Sequence, residues 1–159
     1  MTAQANPNTT GSGPQFALHR IYLKDASFEI PNAPAVFMQD WKPEVNLQLN
    51  SAVNALEADI YEVVLHVTVT AKQGDQTGFL AEIQQAGIFT VKGFDTQQKG
   101  SMLGAFCPNT LFPFAREAIS DLVVKGGFPQ LLLAPINFDA LYAQKLKQEN
   151  SASAPQSAH

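Results

Sequence analysis

The fold is decided by one stretch, residues 60–91, which reads IYEVVLHVTVTAKQGDQTGFLAEIQQAGIFTV. Its first half has the highest density of β-branched residues in the chain, and apolar side chains alternate with polar ones from Tyr61 to Thr70. Alternation with a period of two is typical of a half-buried β-strand. A second strand follows the turn at Gly74 and Asp75, so the sequence predicts a β-hairpin.

Two further strands are predicted before this hairpin. Residues 16–29 carry a long, mixed pattern of apolar and polar side chains, in which Asp25 and Glu29 fall on one face. Residues 44–50 alternate cleanly, with one apolar stripe formed by Val45, Leu47 and Leu49. On pattern alone such a stripe is more typical of a core than of a binding surface, and both interpretations stay open.

The segment that joins these two strands, PNAPAVFMQDWKP at 31–43, has three prolines in thirteen residues and is predicted to be irregular. Phe37 and Trp41 lie within it. Large apolar side chains in an irregular, exposed segment indicate either a plug over the core or the wall of a binding surface.

The C-terminal part of the chain changes to helical spacing. Residues 111–125 repeat apolar side chains at the helical period, with Asn109 as the expected N-cap and Gly126-Gly127 as the stop signal. A short helix is compatible with 96–106, and 138–147 is predicted to be a final amphipathic helix. Four strands followed by helices indicate an α+β domain.

Composition limits the possible functions. The 159 residues suffice for one domain, and a net charge of −4 with a pI near 5.2 argues against nucleic acid or an anionic membrane as the main partner. Charged residues make up only 15%, which favours self-association. Residues 1–15 and 148–159 are predicted to be flexible, which leaves one folded domain over 16–147. With neither a signal peptide nor a membrane-spanning segment in the sequence, we expect a cytoplasmic protein.

The sequence contains little that resembles a catalytic site. Cys107 is the one cysteine, and a base for it would have to come from His19, His66 or the tail. A carboxylate pair for acid–base chemistry would have to come from Asp25, Glu29 and Glu82, on strands that otherwise read as solvated faces. No metal-ligand cluster and no phosphate-binding loop is found, so the sequence favours binding over catalysis and predicts no enzyme and no cofactor.

Five segments together resemble the SecB family of bacterial protein-export chaperones. They cover nearly the whole of 16–146 in the family's order and read RIYLKDASFEIPNAPAVFMQDWKPEV, YEVVLHVTVTA, FLAEIQQAGIF, LGAFCPNTLFPFAREAI and FPQLLLAPINFDALY. The resemblance implies a four-stranded antiparallel sheet with a long helix and a C-terminal helix, assembled as a homotetramer that is a dimer of dimers. It also implies an ATP-independent holdase that binds unfolded precursor proteins, keeps them translocation-competent and delivers them to the SecA motor.

The same resemblance assigns two surfaces. The first is a groove for unfolded polypeptide, lined by Phe37, Trp41, Val45, Leu47, Leu49, Tyr142 and Leu146. The second docks the zinc-bearing, basic C-terminal segment of SecA on the sheet and comprises Asp25, Glu29, Leu80 and Glu82. The zinc would belong to the partner, so no metal site is expected in this chain.

Two alternatives of other classes remain open. One is a small-ligand or enzymatic domain with a pocket around Phe37, Trp41 and Tyr142. The other is a purely structural oligomeric scaffold. Apart from any binding role, Tyr142 and Leu146 also fit the simpler role of docking the last helix.

Overall fold

The hairpin predicted over 60–91 forms the centre of a four-stranded antiparallel sheet. In the computed structural model, which describes residues 13–153, the central strands are β3 (Ile60–Gln73) and β4 (Gln76–Lys92). The edge strands are β1 (Gln15–Glu29), next to β4, and β2 (Glu44–Glu57), next to β3, so the order is β1-β4-β3-β2. The predicted fold class, a four-stranded antiparallel sheet with helices after it, is confirmed.

Helices cover one face of this sheet and bury its core. The inward side chains of β3, among them Val63, Val67 and Val69, are fully buried. They face a stripe on the helix that follows the sheet, formed by Leu111, Ala115, Ile119 and Val123, which are also fully buried. Removing these apolar surfaces from water is the main stabilising contribution, at about 25 cal/mol per Å². The opposite face of the sheet, called the outer face below, carries none of the helices formed by residues 13–153.

The long helix begins earlier than the sequence predicts. It consists of α1 (Thr96–Ser101), a π-helical turn at Met102–Phe106 and α2 (Cys107–Lys125), which follow one another without a break. Its N-cap is Asp95, whose carboxylate accepts from the Gln98 amide at 2.7 Å, while the Gln98 side chain accepts from the Asp95 amide. The predicted N-cap at Asn109 is therefore wrong. The helix already begins after Asp95, where this capping box accepts hydrogen bonds from the backbone amides of the first turn that have no partner within the helix.

The predicted helix stop at Gly126-Gly127 is confirmed, and the last helix is longer than predicted. Gly127 has φ +87°, and the amides of Gly127 and Phe128 donate back to Val124 and Val123, which is a Schellman ending. After an extended segment, α3 (Phe138–Ala152) begins at Asn137, whose side chain accepts from the Ala140 amide at 3.0 Å.

Helix α3 continues to Ala152 and so includes residues predicted as tail, because 148–152 contain helix-compatible residues and no proline. Residues 1–12 and 154–159, which hold most of the predicted flexible arm and half of the predicted tail, lie outside the described residues. The division of the chain into arm, domain and tail stays a prediction there. Within 13–153, no helix is both long enough and apolar enough to cross a bilayer.

Strand β1 changes face twice along its length. Its pairing with β4 shifts register between Leu18 and Arg20 and again between Leu23 and Asp25. Each bulge inserts one residue and reverses the alternation of side chains. Strict alternation along 16–29 predicts that Leu23 shares a face with Asp25, and this is wrong: Leu23 lies on the helix side, opposite Gln85, and Asp25 lies on the outer face, opposite Gln84.

Candidate functional site

The proline-rich segment between β1 and β2 is built into an aromatic cluster on the helix side of the sheet. Measured between ring centroids, Phe128 lies 5.1 Å from Phe37, 4.7 Å from Trp41 and 5.0 Å from Phe79. Neighbouring Val36 is buried, whereas Phe37 is 46% exposed and Trp41 is half-buried. The segment thus closes the core with Val36 and presents aromatic surface to solvent with the other two.

The apolar stripe of β2 lies at the margin of the helix layer. Cross-strand pairing places Val45 opposite Ala71, Leu47 opposite Val69 and Leu49 opposite Val67, on the face that carries the core. Their partners on β3 are fully buried, but Leu47 and Leu49 are half-buried and Val45 is 43% exposed. The stripe is more exposed than its partners because β2 is an edge strand. It therefore forms the partly covered margin of the core.

An open cleft of about 720 Å³ lies between β2, the long helix and α3. Leu49 and Leu65 contribute from the sheet, and Tyr142 and Leu146 contribute from α3. The long helix presents bare backbone here at two glycines. A side chain at Gly104 would overlap the ring of Tyr142, and one at Gly100 would overlap its hydroxyl group. The cleft walls are mostly apolar, with charged groups such as Lys145 and Glu149 of α3 among the lining residues.

The seven predicted groove residues are found in two groups joined by β2. Phe37 and Trp41 belong to the aromatic cluster, and Leu49, Tyr142 and Leu146 line the cleft. Val45 and Leu47 lie between the two groups on the same face of β2. At about 3.3 Å per residue, the helix side of β2 from Val45, where the stripe begins, to Val53 in the cleft spans about 26 Å, enough to contact roughly eight residues of an extended peptide.

Several residues that line the cleft were not predicted from the sequence: Gly100, Leu103, Gly104, Phe138 and Leu141. The available signal was the spacing of the two glycines, four residues apart, which places them on one side of a helix. Such a pair leaves a flat patch that an aromatic ring can contact closely.

The four predicted docking residues lie together on the outer face. Glu29 is the cross-strand neighbour of Leu80, and Glu82 is that of Ser27, with Asp25 next along β1. The polar surface continues across the sheet as three rows of cross-strand neighbours, here called the acidic rows: Asp25–Gln84–His66–Asn50, Ser27–Glu82–Thr68–Gln48 and Glu29–Leu80–Thr70–Asn46.

The carboxylates of the acidic rows are not neutralised by the sheet itself. Asp25, Glu29 and Glu82 are exposed, and none of them forms an ion pair with another residue of the described range. A flat surface with unpaired negative charge attracts a cationic partner and loses that attraction as salt is added.

A buried carboxylate on the same face as the acidic rows was also missed. Glu62 occupies a polar position of the alternating pattern and lies on the outer face, but it is only 8% exposed. Lys24 Nζ lies 2.9 and 3.1 Å from its two carboxylate oxygens, Asn54 Nδ2 donates at 2.9 Å, and the Tyr22 hydroxyl also donates. These four residues, Tyr22, Lys24, Asn54 and Glu62, are called the Glu62 clamp below.

Hydrogen bonds are the main cause of the lowered pKa of Glu62. The bond from Tyr22, followed by those from Lys24 and Asn54, lowers the pKa of Glu62 to about 2 against the opposing effect of burial. Burial, together with the bond to Glu62, raises the pKa of Tyr22 to about 12. Glu62 is therefore held as an anion, which suits a structural ion pair and not a proton donor.

The catalytic alternative built on Cys107 is not assembled in this structure. Cys107 is fully buried in the helix side of the core, and burial raises the pKa of its thiol to about 12. The ring of His19 is hydrogen-bonded to the Thr90 hydroxyl, and His66 lies on the outer face, away from the side of the sheet that holds Cys107. Across 13–153, no three metal-ligating side chains cluster together.

Comparison with known proteins gives one consistent result. The family model described as preprotein translocase subunit SecB matches residues 9–149. The protein-export protein SecB of Nitrosococcus oceani is 57% identical over 151 residues, covering 94% of this chain and 92% of that protein. That of Pseudomonas fluorescens is 58% identical over 141 residues, covering 89% of each.

A solved structure shows the same fold at low sequence identity. It is the Mycobacterium tuberculosis Rv1957 SecB-like chaperone in complex with a ChAD peptide from the Rv1956 HigA1 antitoxin. The TM-score is 0.64 at 20% identity, and the alignment covers 76% of this chain and 90% of that chain. At this identity the likeness concerns the fold.

Proposed function

This chain belongs to the SecB family of preprotein translocase subunits and is a chaperone of protein export. From that premise we propose that it is an ATP-independent holdase of the cytoplasm, which binds unfolded precursor proteins without turnover and delivers them to SecA. One observation carries the proposal: the apolar face of β2 is left partly uncovered between the aromatic cluster and the cleft under α3.

The physics of this surface suits a binder with many clients. A chaperone has to accept unrelated sequences, so it depends on apolar area and adaptable contacts more than on directional groups. Phe37 and Trp41 offer partly exposed aromatic anchors, and the stripe from Val45 to Leu49 offers apolar area along an extended segment. At about 25 cal/mol per Å², a few hundred Å² of contact supplies several kcal/mol before the entropy of ordering is subtracted.

The acidic rows are proposed to dock SecA. Their carboxylates lie on the outer face, whereas the groove residues lie on the helix side, so client and motor would approach opposite faces of the sheet. This separation allows one subunit to hold a client and contact SecA at the same time. The basic, zinc-bearing segment of SecA is the complementary partner for unpaired carboxylates.

A homotetramer built as a dimer of dimers is proposed as the working form. The chain exposes large apolar side chains on two neighbouring elements: Leu18 and Leu23 on β1, and Phe106, Phe114 and Val124 along the long helix. Exposed apolar surface of this extent is typical of an interface. A tetramer would also present several grooves to one long client, which raises its avidity without any new contact.

The proposal is tested by mixing the protein with a reduced, unfolded precursor in the absence of nucleotide. We expect aggregation, followed by light scattering, to be suppressed at a stoichiometric amount of tetramer. Sedimentation of the same mixture should show the client bound to the assembly. Aggregation that proceeds at the rate seen with an inert protein of equal concentration would contradict the holdase function.

A further inference from the structure

The bulge in β1 places a cation directly beside the acidic rows. Between Leu23, which pairs with Gln85, and Asp25, which pairs with Gln84, the strand gains one residue, Lys24. The side chain of Lys24 lies over the outer face, since it reaches Glu62 there. The sequence thus inserts a positive charge next to the first carboxylate of the acidic rows.

That positive charge is directed away from the rows. The ammonium of Lys24 lies 2.9 and 3.1 Å from the two oxygens of Glu62, across β4 on β3, and forms no ion pair with Asp25. Glu62 is itself fixed by hydrogen bonds from Tyr22 and Asn54, which come from the two edge strands. A carboxylate held from both sides is a rigid acceptor that keeps the lysine in one orientation.

We propose that Glu62 is a positioning residue that sequesters Lys24 and thereby keeps the acidic rows open to a cationic partner. The inference rests on the proposed docking of SecA at these rows. Without the clamp, the ammonium of Lys24 would be free to turn toward Asp25, its neighbour in the chain, and would compete with the partner for that carboxylate. The Lys24–Glu62 pair therefore acts on docking through charge, although neither residue needs to touch the partner.

Two single variants and their double variant, which keeps the net charge of the wild type, test this proposal on the full-length protein. Binding of SecA is measured by titration at low salt to the wild type, Glu62→Gln, Lys24→Gln and the double variant. We expect Glu62→Gln to weaken binding about two- to fivefold, because it frees one exposed charge near the site. Lys24→Gln should bind at least as tightly as the wild type, and the double variant should regain wild-type affinity.

Rescue by the second substitution separates the charge effect from damage to the fold. A double variant that binds as weakly as Glu62→Gln alone would overturn the proposal, because loss of structure is not repaired by removing Lys24. Client holding by each variant checks that the subunit remains folded. The weakening should also shrink when the salt concentration is raised to about 0.5 M.

The wild-type protein supplies a measurement that needs no variant. Limited acetylation of surface amines, quantified by mass spectrometry, should modify Lys24 more slowly than Lys72. Both residues are exposed, but the ammonium of Lys24 is held by Glu62, whereas Lys72 has no ion pair within the described range. Equal rates would overturn the sequestration of Lys24.

The docking proposal and the clamp proposal fail in different ways. If Asp25→Asn and Glu82→Gln weaken SecA binding but Glu62→Gln does not, the clamp role is wrong and docking stands. If none of the three weakens binding, the assignment of the acidic rows to SecA is itself wrong.

Discussion

The ring of Tyr142 on α3 lies against the backbone of Gly104, inside the π-helical turn of the long helix. Gly100 contacts the same ring one turn earlier, near the hydroxyl group. Beyond Tyr142 the side chains of α3 are exposed, so this ring and Phe138 are the main points at which α3 is held to the domain. Because Tyr142 also lines the cleft, the position of α3 and the shape of the cleft depend on the same contact.

Substituting Gly104→Ala should release α3. The new methyl group would overlap the Tyr142 ring, and overpacking of this kind costs about 1–3 kcal/mol, more than the gain of up to about 1 kcal/mol in helix propensity. Hydrogen exchange of the amides in 138–152 should accelerate, while exchange in β3 stays slow. Ser101→Ala, at an exposed position of the same helix, is the matched control. Unchanged protection of α3 in Gly104→Ala would contradict this role of the glycine.

A negative charge on the apolar face of β2 should impair client binding. Leu47→Asp places a carboxylate in the middle of the stripe, and we expect the affinity for an unfolded client to fall about tenfold or more. Gln48→Asp is the matched control, because it adds the same charge one residue further along, on the outer face. Client affinity is measured by fluorescence titration with a permanently unfolded protein.

The state of the assembly decides how that result is interpreted. Sedimentation should show Leu47→Asp to be as large as the wild type. If the variant dissociates or unfolds, Leu47 contributes to the core and not to a groove.

The sequence predicts those elements whose pattern is local. The hairpin at 60–91 is an example, because each residue of β3 shows its burial by its place in the alternation. Alternation does not predict which side chains of β1 are buried, since its two bulges reverse the alternation and only the pairing with β4 reveals them. The helix start was misplaced for a similar reason: Asn109 resembles a cap, and the capping box at Asp95 and Gln98 lies where no apolar periodicity draws attention.

Local sequence patterns do not predict contacts between residues that are far apart in the sequence. Glu62 occupies a polar position of an alternating strand, which predicts a solvated side chain. Its burial depends on Lys24 and Tyr22, which lie 38 and 40 residues away in the sequence. The grouping of Leu49 with Tyr142 and Leu146 was suggested by the resemblance to SecB, since residues on different elements share no local pattern.

Reversing the charge of Glu82 should impair docking of SecA and spare client binding. Glu82→Lys changes the middle of the acidic rows by two charges, so we expect about tenfold weaker binding of SecA at low salt and a smaller effect at high salt. Glu117→Lys, which makes the same change on the exposed side of α2, is the control. Isothermal titration with SecA measures the affinity. Equal docking of Glu82→Lys and wild type at low salt would contradict the assignment.

The Glu62 clamp predicts how stability depends on pH in acid. The folded state lowers the pKa of Glu62 from its ordinary value of 4.5 to about 2, so the unfolded chain binds a proton there more readily than the folded one. The stabilisation is therefore complete above about pH 4.5 and declines as the pH falls toward about 2. Urea unfolding of the wild type and of Glu62→Gln, each between pH 3 and pH 7, measures it.

Glu62→Gln lacks the titrating group, so its stability should fall less steeply with acid than that of the wild type, and the two curves should converge at low pH. Near neutral pH the variant should be about 1–3 kcal/mol less stable, the usual effect of disrupting a buried, charged hydrogen-bond network. Asp25→Asn is the control, because Asp25 forms no ion pair within the described part of the chain and should leave the slope nearly unchanged. Parallel curves for Glu62→Gln and wild type would show that Glu62 does not hold its charge in the folded state.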